Sequence, residues 1–255
     1  MNDTQHPRAS NMEQTLQRLA NQFTVRDIMV PVEKLVKAKT PVEAHRLLDE
    51  YDDFNLVPVE ASGKIIGYIE RNSPELKLID FDMAIGSGCS ILDIVDVFAE
   101  RQFCFVLGKW GIEGYVHFSD LNHHLVNLPF YILLQAVEFY TISLIQDRLD
   151  EEVLHKVLDT SEANKIAKRF NKNKLNDVNR SLLNEISLKG MLQVAVYFGL
   201  LELGDEEITE LYKVRNSLSH APERLIRKHD DAKRLKWTIY QCHKILGSQS
   251  PTDEA

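Results

Sequence analysis

The first half of the chain contains the same order of segments twice, and this repeat limits the possible folds more than any other feature. Residues 24–71 predict a strand, a helix, a strand, a turn and a strand, and residues 83–121 predict the same order. Pro41 aligns with Ile91 at an offset of 50 residues, and Gly67 aligns with Gly114 at an offset of 47. Neither copy of such a small βαββα unit can bury its sheet alone, so we expect the two copies to pair in one α+β domain.

The element boundaries within each copy follow from hydrophobic alternation and from residues typical of helix starts. Thr40 followed by Pro41 is typical of a helix start, and Ser62-Gly63 is typical of a turn. The predicted elements of the first copy are strands at 35–39, 55–60 and 64–69 and a helix at 41–51; those of the second copy are strands at 83–85, 103–108 and 112–118 and a helix at 90–101. Residues 12–23 predict a short helix before the first copy.

The phrases TVRDIM, LVPV and GYIER, together with the paired repeat, resemble the tandem CBS (cystathionine β-synthase type) module, also called a Bateman module. The resemblance covers residues 24–127. It implies a sensor domain that binds an adenine nucleotide, AMP, ADP or ATP, as a regulatory ligand in a cleft between the two copies.

The resemblance also implies a ribose-binding motif, in which a glycine is followed by two apolar residues, a Thr or Ser, two more residues and an Asp. The second copy has Gly114, His117 and Asp120 at the three defining positions. A carboxylate suits this task because it accepts hydrogen bonds from both ribose hydroxyls. In the first copy both polar positions are lost, and Glu70 would repel a phosphate unless Arg71 offsets its charge.

Structural roles are open for the same residues. An Asp directly before the segment LNHHLV is a good helix N-cap, so Asp120 could serve that purpose alone. His117 could contact a phosphate or could lie at the surface as the last residue of a strand. The adjacent pair His123-His124 does not favour a metal site, because neighbouring helical residues point about 100° apart. Three distant cysteines add no zinc spacing, and no metal is expected.

The second half predicts helices, among them residues 178–203, which Asp177 caps, and a last helix at residues 222–246. The helix between these two ends in an unusual set of polar residues. Arg215, Asn216 and His220 lie near the end of an amphipathic helix that begins at Asp205. Because the 2′-hydroxyl of RNA is itself a nucleophile, a proton shuttle and a permanent cation suffice to cleave RNA without a metal. Glu138, an acid in an otherwise apolar helix, needs a partner, and Arg215 is the predicted one.

The string LYKVRNSLSHAPER resembles the Arg-Asn-x-x-x-His signature of the HEPN superfamily, small helical domains that include metal-independent ribonucleases. In that family, Arg and His of two protomers meet across a dimer interface, so the resemblance implies a homodimer. Arg followed by His at similar spacing also occurs at Arg148 to His155 and at Arg224 to His229, so spacing alone does not identify the site. The structural alternative is that Arg215 pairs with a nearby acid and His220 lies where two helices meet.

The charge distribution places any RNA contact in the second half. The net charge is −8, and residues 1–150 carry 13 Lys and Arg against 22 Asp and Glu, whereas residues 151–255 carry 17 against 16. The basic segment 161–176 is a candidate RNA contact or simply a solvated face. Polar residues interrupt the apolar stretch 128–145, which favours a buried helix over a membrane span, and no signal peptide is apparent. We expect a cytoplasmic protein without membrane contact.

The predicted organisation is an α+β CBS-pair domain followed by an all-α HEPN-like helical bundle. The predicted boundaries are 1–23 for a tail and short helix, 24–127 for the CBS pair, 128–247 for the helical domain and 248–255 for a tail. The predicted function is adenine-nucleotide-sensing, metal-independent endoribonuclease activity that leaves a 2′,3′-cyclic phosphate. The alternative is a non-catalytic, nucleotide-binding dimeric regulator whose helical domain binds a protein or RNA.

Overall fold

The structure is a computed structural model that describes residues 11–175, 181–219 and 224–247. The chain divides into two compact units. The repeat unit contains residues 21–127 together with a distant segment, 226–233. The helical unit contains the described parts of residues 1–20, 128–225 and 234–255. The first predicted helix therefore belongs to the helical unit, although it precedes the repeat in sequence.

The repeat unit contains two helices with side-chain caps. Helix α2 (Pro41–Glu50) begins after Thr40, whose hydroxyl accepts a hydrogen bond from the Glu43 amide at 3.2 Å. Helix α3 (Ile91–Glu100) begins after Ser90 in the same way. The strands are β1 (Val30–Pro31), β2 (Leu56–Ala61), β3 (Lys64–Glu70), β4 (Ser73–Leu78), β5 (Ala84–Gly86), β6 (Phe103–Gly108) and β7 (Gly111–His117).

Each repeat forms its own sheet, and each sheet is completed by a strand from outside the repeat. The second sheet has the order β1-β7-β6-β5, and the first has the order β2-β3-β4. Parallel pairing of β5 with β6 has its counterpart in a single parallel bridge between Ala38 and Val59. Both hairpins carry a register shift at the same point, after Val59 and after Val106. The two copies therefore agree even in their irregularities, at the offset of 47 that the sequence predicts.

The close approach of the outer strands depends on one glycine in each repeat. A Cβ atom on Gly67 would lie 2.3 Å from the Lys77 carbonyl oxygen of β4. A Cβ atom on Gly114 would lie 2.8 Å from the Val30 carbonyl oxygen of β1 and 2.7 Å from the Met29 sulfur. Because backbone atoms cannot yield as a flexible side chain can, only glycine fits at both positions.

An aromatic cluster joins the two sheets. Tyr68 of the first repeat lies 5.6 Å from the ring of Phe103 and 5.5 Å from that of Phe105, and Tyr115 packs against the same two rings. Phe105 is completely buried. Aromatic pairs at these separations add to the free energy gained from burial alone, so the cluster stabilises the pairing of the repeats.

Three predictions for the repeat unit were wrong in detail. Residues 35–39 form one bridge rather than a strand. After its last predicted strand the first copy continues into β4 instead of a helix, and residues 73–78 pair antiparallel with β3. In the second copy the corresponding place holds a 3-10 turn, Phe118–Asn122, because His123 takes an extended conformation that ends the turn.

The helical unit contains the remaining seven helices of the described residues: α1 (Asn11–Ala20), α4 (Asn127–Ile145), α5 (Glu151–Val157), α6 (Thr160–Leu175), α7 (Leu188–Tyr197), α8 (Asp205–Ser219) and α9 (Asp231–Ile245). The predicted helix 178–203 is replaced by a 3-10 turn at Leu182–Asn184 and by α7, which Ser187 caps. Gly199, at a φ of +65°, follows α7 where the chain reverses. The last helix begins at Asp231 rather than at residue 222, because the Asp231 carboxylate accepts hydrogen bonds from the amides of Arg227 and Lys228.

The apolar helix α4 lies in the core of the helical unit. The segment His124–Ile145 is long and apolar enough to span a membrane by length and composition, and half of its most apolar window is buried. Phe130, Leu133, Leu134 and Val137 are each at most 1% exposed. A core helix meets the same criteria of length and composition, as the sequence analysis predicts for this stretch.

We expect Gly67→Ala to lower the free energy of unfolding by about 1–3 kcal/mol, because the added methyl group meets the backbone of β4. Gly88→Ala is the matched control, since a Cβ atom there has nothing within 4 Å. The midpoints of urea unfolding measure the difference. Equal midpoints for the two variants would contradict the close approach of β3 and β4.

Candidate functional site

Arg215 and Glu138 form an ion pair in the helical unit, as the sequence analysis predicts. The Arg215 Nε donates to Glu138 Oε1 at 3.0 Å, across a sequence separation of 77 residues. The two side chains are 29% and 14% exposed. Since a partly buried carboxylate is costly without a partner, the pair fixes the positions of both groups and joins α8 to α4.

Further contacts orient the Arg215 side chain. Its Nη1 donates to the hydroxyl of Ser219 one turn later on α8. Its guanidinium carbon lies 6.0 Å from the centre of the Tyr131 ring, at the edge of the range for a cation–π interaction. Gln135 donates a hydrogen bond to the second oxygen of Glu138. The guanidinium is therefore held by groups from two helices, which is the condition for a preorganised cation.

The ion pair lies on the wall of a cavity of about 940 Å³ within the helical unit. This volume is in the range that accommodates a nucleotide-sized ligand. Asn216 and Tyr212 of α8 also line it. Charged residues of both signs surround the cavity: the cations are Lys165, Arg169, Lys189 and Arg215, and the acids are Glu138, Asp159, Glu162 and Glu185.

The structure brings together three of the four residues predicted to be catalytic. Arg215, Asn216 and Glu138 line the same cavity. The fourth, His220, lies outside the described residues, since α8 is described to Ser219 and the next described residue is Arg224. The basic segment predicted as an RNA contact supplies Lys165 and Arg169, on α6, to this cavity.

A second candidate site is a cleft between the two repeats. Two adjoining cavities, of about 210 and 330 Å³, share Asn55, Tyr115 and His117 in their walls. Leu35, Val36, Phe54 and Pro58 give the smaller cavity an apolar lining. Arg71, Glu70 and Gln102 line the larger one. An apolar wall beside a polar one suits a ligand with a flat base and a charged end.

Asp120 and His117 cap the same turn, but not as the sequence analysis predicts. The carboxylate of Asp120 accepts a hydrogen bond from the His117 amide at 2.8 Å, which makes Asp120 the third residue of a capping box rather than the cap of a following helix. His117 lies 2.8 Å from the Ser119 hydroxyl through its Nδ1. Of these two residues, His117 lines the two cleft cavities, and Asp120 is not part of their lining.

Gly114 and Arg71 have structural roles that differ from the predicted ones. Gly114 permits the approach of β1 to β7. Arg71 does not neutralise Glu70; it donates to the Phe54 and Tyr51 carbonyl oxygens at 3.0 and 2.7 Å and so caps the end of α2. The partner of Glu70 is Lys77, at 2.5 Å. Arg71 still lines the larger cavity, so its charge faces the cleft.

Burial changes the protonation of several groups in the repeat unit. Desolvation raises the pKa of Asp120, and the hydrogen bond from the His117 amide partly offsets this increase. Desolvation, aided by nearby His229, lowers the pKa of His117, which favours the neutral ring. Burial also raises the pKa of the Cys104 thiol to about 12, so this cysteine is an unreactive core thiol.

No group of three or more His, Cys, Asp and Glu side chains suited to a metal ion occurs among residues 11–175, 181–219 and 224–247.

Asn55 and Tyr115 line the cleft but are not among the residues that the sequence predicts for it. Tyr115 follows the motif residue Gly114 directly on β7, whereas Asn55 precedes β2 and no motif in the sequence marks it.

No protein-family model matches this chain, and no curated protein matches it. The chain is similar to the CBS domain of a putative transporter from Clostridium difficile 630, at 20% identity and a TM-score of 0.33, over 42% of this chain and 97% of that one. It is similar to the CBS domain of a bacterial CNNM/CorC family Mg²⁺ transporter in complex with ATP, at 18% identity and a TM-score of 0.34, over 45% and 95%. It is also similar to a hemolysin-like protein containing a CBS domain from Oenococcus oeni PSU, at 16% identity and a TM-score of 0.33, over 42% and 93%.

The strand pairing of the repeat unit is the arrangement expected of a CBS pair, and the second half of the chain is helical. The predicted α+β unit followed by a helical unit is confirmed to that extent, and these distant similarities carry no conclusion about function. The HEPN-like character of the helices stays a prediction.

We expect the stability of the repeat unit to fall below about pH 6.5 because of His117. Its pKa is lowered on folding, so the unfolded chain takes up a proton first and the stabilisation present above that pH is lost as the pH falls toward the folded-state pKa. In His117→Asn this loss disappears. The measurement is the change in thermal unfolding midpoint between pH 7.5 and pH 5.5, with the exposed His124→Asn as control. A change of equal size in wild type and His117→Asn would refute the assignment.

Proposed function

We propose that this protein is an endoribonuclease regulated by an adenine nucleotide, with the cutting site in the helical unit and the nucleotide site in the cleft of the repeat unit. The observation that supports the cutting site is the Arg215 guanidinium, which the Glu138 ion pair holds on the wall of a cavity of about 940 Å³. The HEPN-like motif supplies the other groups: Asn216, on the same helix, and His220, which follows the last described residue of that helix in sequence.

The reaction uses the RNA's own 2′-hydroxyl as nucleophile. His220 removes the proton from that hydroxyl while the 2′-oxygen forms a bond to phosphorus, and the bond from phosphorus to the 5′-oxygen breaks. The leaving 5′-oxygen takes up a proton from the imidazolium of His220, which returns to its neutral form, and the products end in a 2′,3′-cyclic phosphate and a 5′-hydroxyl. In this scheme Arg215 stabilises the additional negative charge of the phosphorane, and Asn216 orients the phosphate.

Glu138 acts as a positioning residue for Arg215. It contacts the Nε side of the guanidinium, and Ser219 contacts Nη1, so the orientation of the group is set before any substrate binds. A guanidinium has further N–H donors with which to bind a phosphate. Lys165 and Arg169 extend the positive charge of the same cavity along α6, as an RNA strand requires.

We place the active form as a homodimer in the cytoplasm, where both RNA and adenine nucleotides are available. The dimer is the arrangement that the HEPN resemblance implies, in which the arginine of one protomer works with the histidine of the other. In the cleft, Tyr115 and the apolar residues near Val36 would contact the base, and His117, Asp120 and Arg71 would lie on the side of the ribose and phosphates.

A second candidate is a non-catalytic regulator whose helical unit binds a protein or RNA. The observation in its favour is that the Arg215 side chain already has structural partners, Glu138 on α4 and Ser219 on its own helix α8. An arginine kept for architecture would occupy the same position without any reaction.

We expect the purified full-length protein to cleave single-stranded RNA in EDTA, with and without adenine nucleotides, to products ending in a 2′,3′-cyclic phosphate. His220→Ala and Arg215→Met should each lower the rate by about a hundredfold or more, because each removes a group that acts on the transition state. Glu138→Gln should lower it less, since the guanidinium stays but loses its ionic partner.

The matched controls are His155→Ala and Arg148→Met, which alter another Arg and His pair of similar spacing whose side chains are exposed. These variants should cleave at the wild-type rate. RNA left intact by wild type under all of these conditions, with folding verified by circular dichroism, would support the non-catalytic candidate instead.

We expect an adenine nucleotide to raise the thermal unfolding midpoint of the repeat unit. At 100 times its dissociation constant a ligand adds about 2.7 kcal/mol to the free energy of unfolding. A panel of AMP, ADP, ATP and S-adenosylmethionine identifies the ligand, and Asp120→Ala should reduce the shift. His124→Ala, an exposed histidine outside the cleft, should leave it unchanged. If Asp120→Ala retains the full shift for every ligand, the ribose assignment is wrong.

A further inference from the structure

Residues 226–233, which we call the strap, belong to the repeat unit although the chain reaches them from α8 and leaves them into α9. The sequence predicts that these residues lie inside the last helix, residues 222–246. In the structure they precede α9, apart from its first turn. Ile226 and Ala232, near the two ends of the strap, are buried, at 2% and 0% exposure.

One asparagine holds the beginning of the strap by its backbone. The Ile226 amide donates to Asn122 Oδ1 at 3.0 Å, and Asn122 Nδ2 donates to the Ile226 carbonyl oxygen at 2.7 Å. A primary amide that satisfies both backbone groups of one residue imitates a neighbouring β-strand. The contact fixes the position of that residue whatever its side chain.

A histidine holds the middle of the strap. His229 Nε2 lies 3.0 Å from the Arg101 carbonyl oxygen, at the end of α3, and its ring packs edge-on against Phe118 at 5.4 Å. A carbonyl oxygen accepts, so this nitrogen carries the proton. The strap is therefore attached to both α3 and the 3-10 turn Phe118–Asn122.

The same short turn faces the cleft at its other end. Phe118–Asn122 begins directly after His117, which lines the cleft, and contains Asp120, whose carboxylate caps the His117 amide. Asn122, which holds the strap, follows Asp120 by two residues. A ligand that binds the Asp120 carboxylate or moves His117 therefore also acts on the turn that holds the strap.

At its two ends the strap continues into elements of the helical unit. Ile226 follows Ser219, the last described residue of α8, by seven residues. At the other end the Asp231 carboxylate, in the first turn of α9, binds the amides of Arg227 and Lys228. The chain segment held by Asn122 thus follows, along the sequence, the helix that carries Arg215 and Asn216.

We propose that the strap is the element through which the state of the cleft reaches α8, and that Asn122 and His229 are the positioning residues of this link; the proposal rests on the function proposed above. A nucleotide bound in the cleft changes the conformation of the turn Phe118–Asn122. This change strengthens or weakens the hydrogen bonds between Asn122 and Ile226, and so changes how firmly the chain that follows α8 is held. By thermodynamic linkage, a change made at the strap alters nucleotide affinity in return.

The first test needs no ligand and uses hydrogen exchange of the full-length protein. Asn122→Ala should increase exchange of the Ile226 amide about tenfold, since it removes the acceptor, and should also change exchange in Lys213–Ser219, the last turns of α8. Asn122→Asp keeps an acceptor for the Ile226 amide but loses the donor to its carbonyl oxygen, so its effect should be intermediate. His229→Ala should act in the same direction as Asn122→Ala.

The controls for this test are Asn21→Ala and His124→Ala, which replace exposed residues of the repeat unit by the same changes. Neither should alter exchange at Ile226 or in α8. Faster exchange at Ile226 with no change in Lys213–Ser219 would overturn the proposed link, and so would an Ile226 amide that exchanges at the wild-type rate in Asn122→Ala.

The second test uses ATP and separates this proposal from the proposed function. Saturating ATP should change exchange at Ile226 by about threefold or more in wild type, and Asn122→Ala should change the ATP dissociation constant. If ATP raises the unfolding midpoint but leaves exchange at Ile226 unchanged, the link is refuted while nucleotide binding stands. If no adenine nucleotide raises the midpoint, the sensing function is refuted, and the ligand-free variants still decide whether the strap anchors α8.

Discussion

Each sheet of the repeat unit depends on the close approach of one outer strand to its hairpin. β4 covers β3, and β1 covers β7, and in both cases the backbones come so close that a glycine must stand at the point of contact. An uncovered edge would expose unpaired amide and carbonyl groups, which favours association with other chains. Strand β1 also joins the two repeats, because it belongs to the first repeat and completes the sheet of the second.

Sequence reasoning located the elements whose signals are local. The helix start at Thr40, the strand of residues 103–108 and the offset of 47 between hairpins all depend on residues close together in the chain. It did not locate β4, since a short alternating segment on a sheet edge carries a weak signal. It also merged the strap with α9, because the Asp231 cap and the contact of Asn122 with Ile226 depend on the folded backbone.

The candidate site in the helical unit could be predicted in part for electrostatic reasons. An acid on an apolar helix requires a cation, and Arg215 on an amphipathic helix was the available one, so Glu138 and Arg215 could be paired from the sequence alone. The cleft residues were harder to assign, because one sequence motif serves several structural purposes. Gly114 relieves a steric conflict, Arg71 caps a helix, and Asp120 caps a turn, and each purpose would by itself account for the residue.

The discontinuous repeat unit has a consequence for biosynthesis. During translation both repeats leave the ribosome long before residues 226–233 do. The packing of the repeat unit is therefore complete only after most residues of the helical unit have been translated. The unit that would detect a metabolite is therefore completed only after the helix bearing the arginine has left the exit tunnel. A single cut in the chain therefore cannot separate the repeat unit from the helical unit.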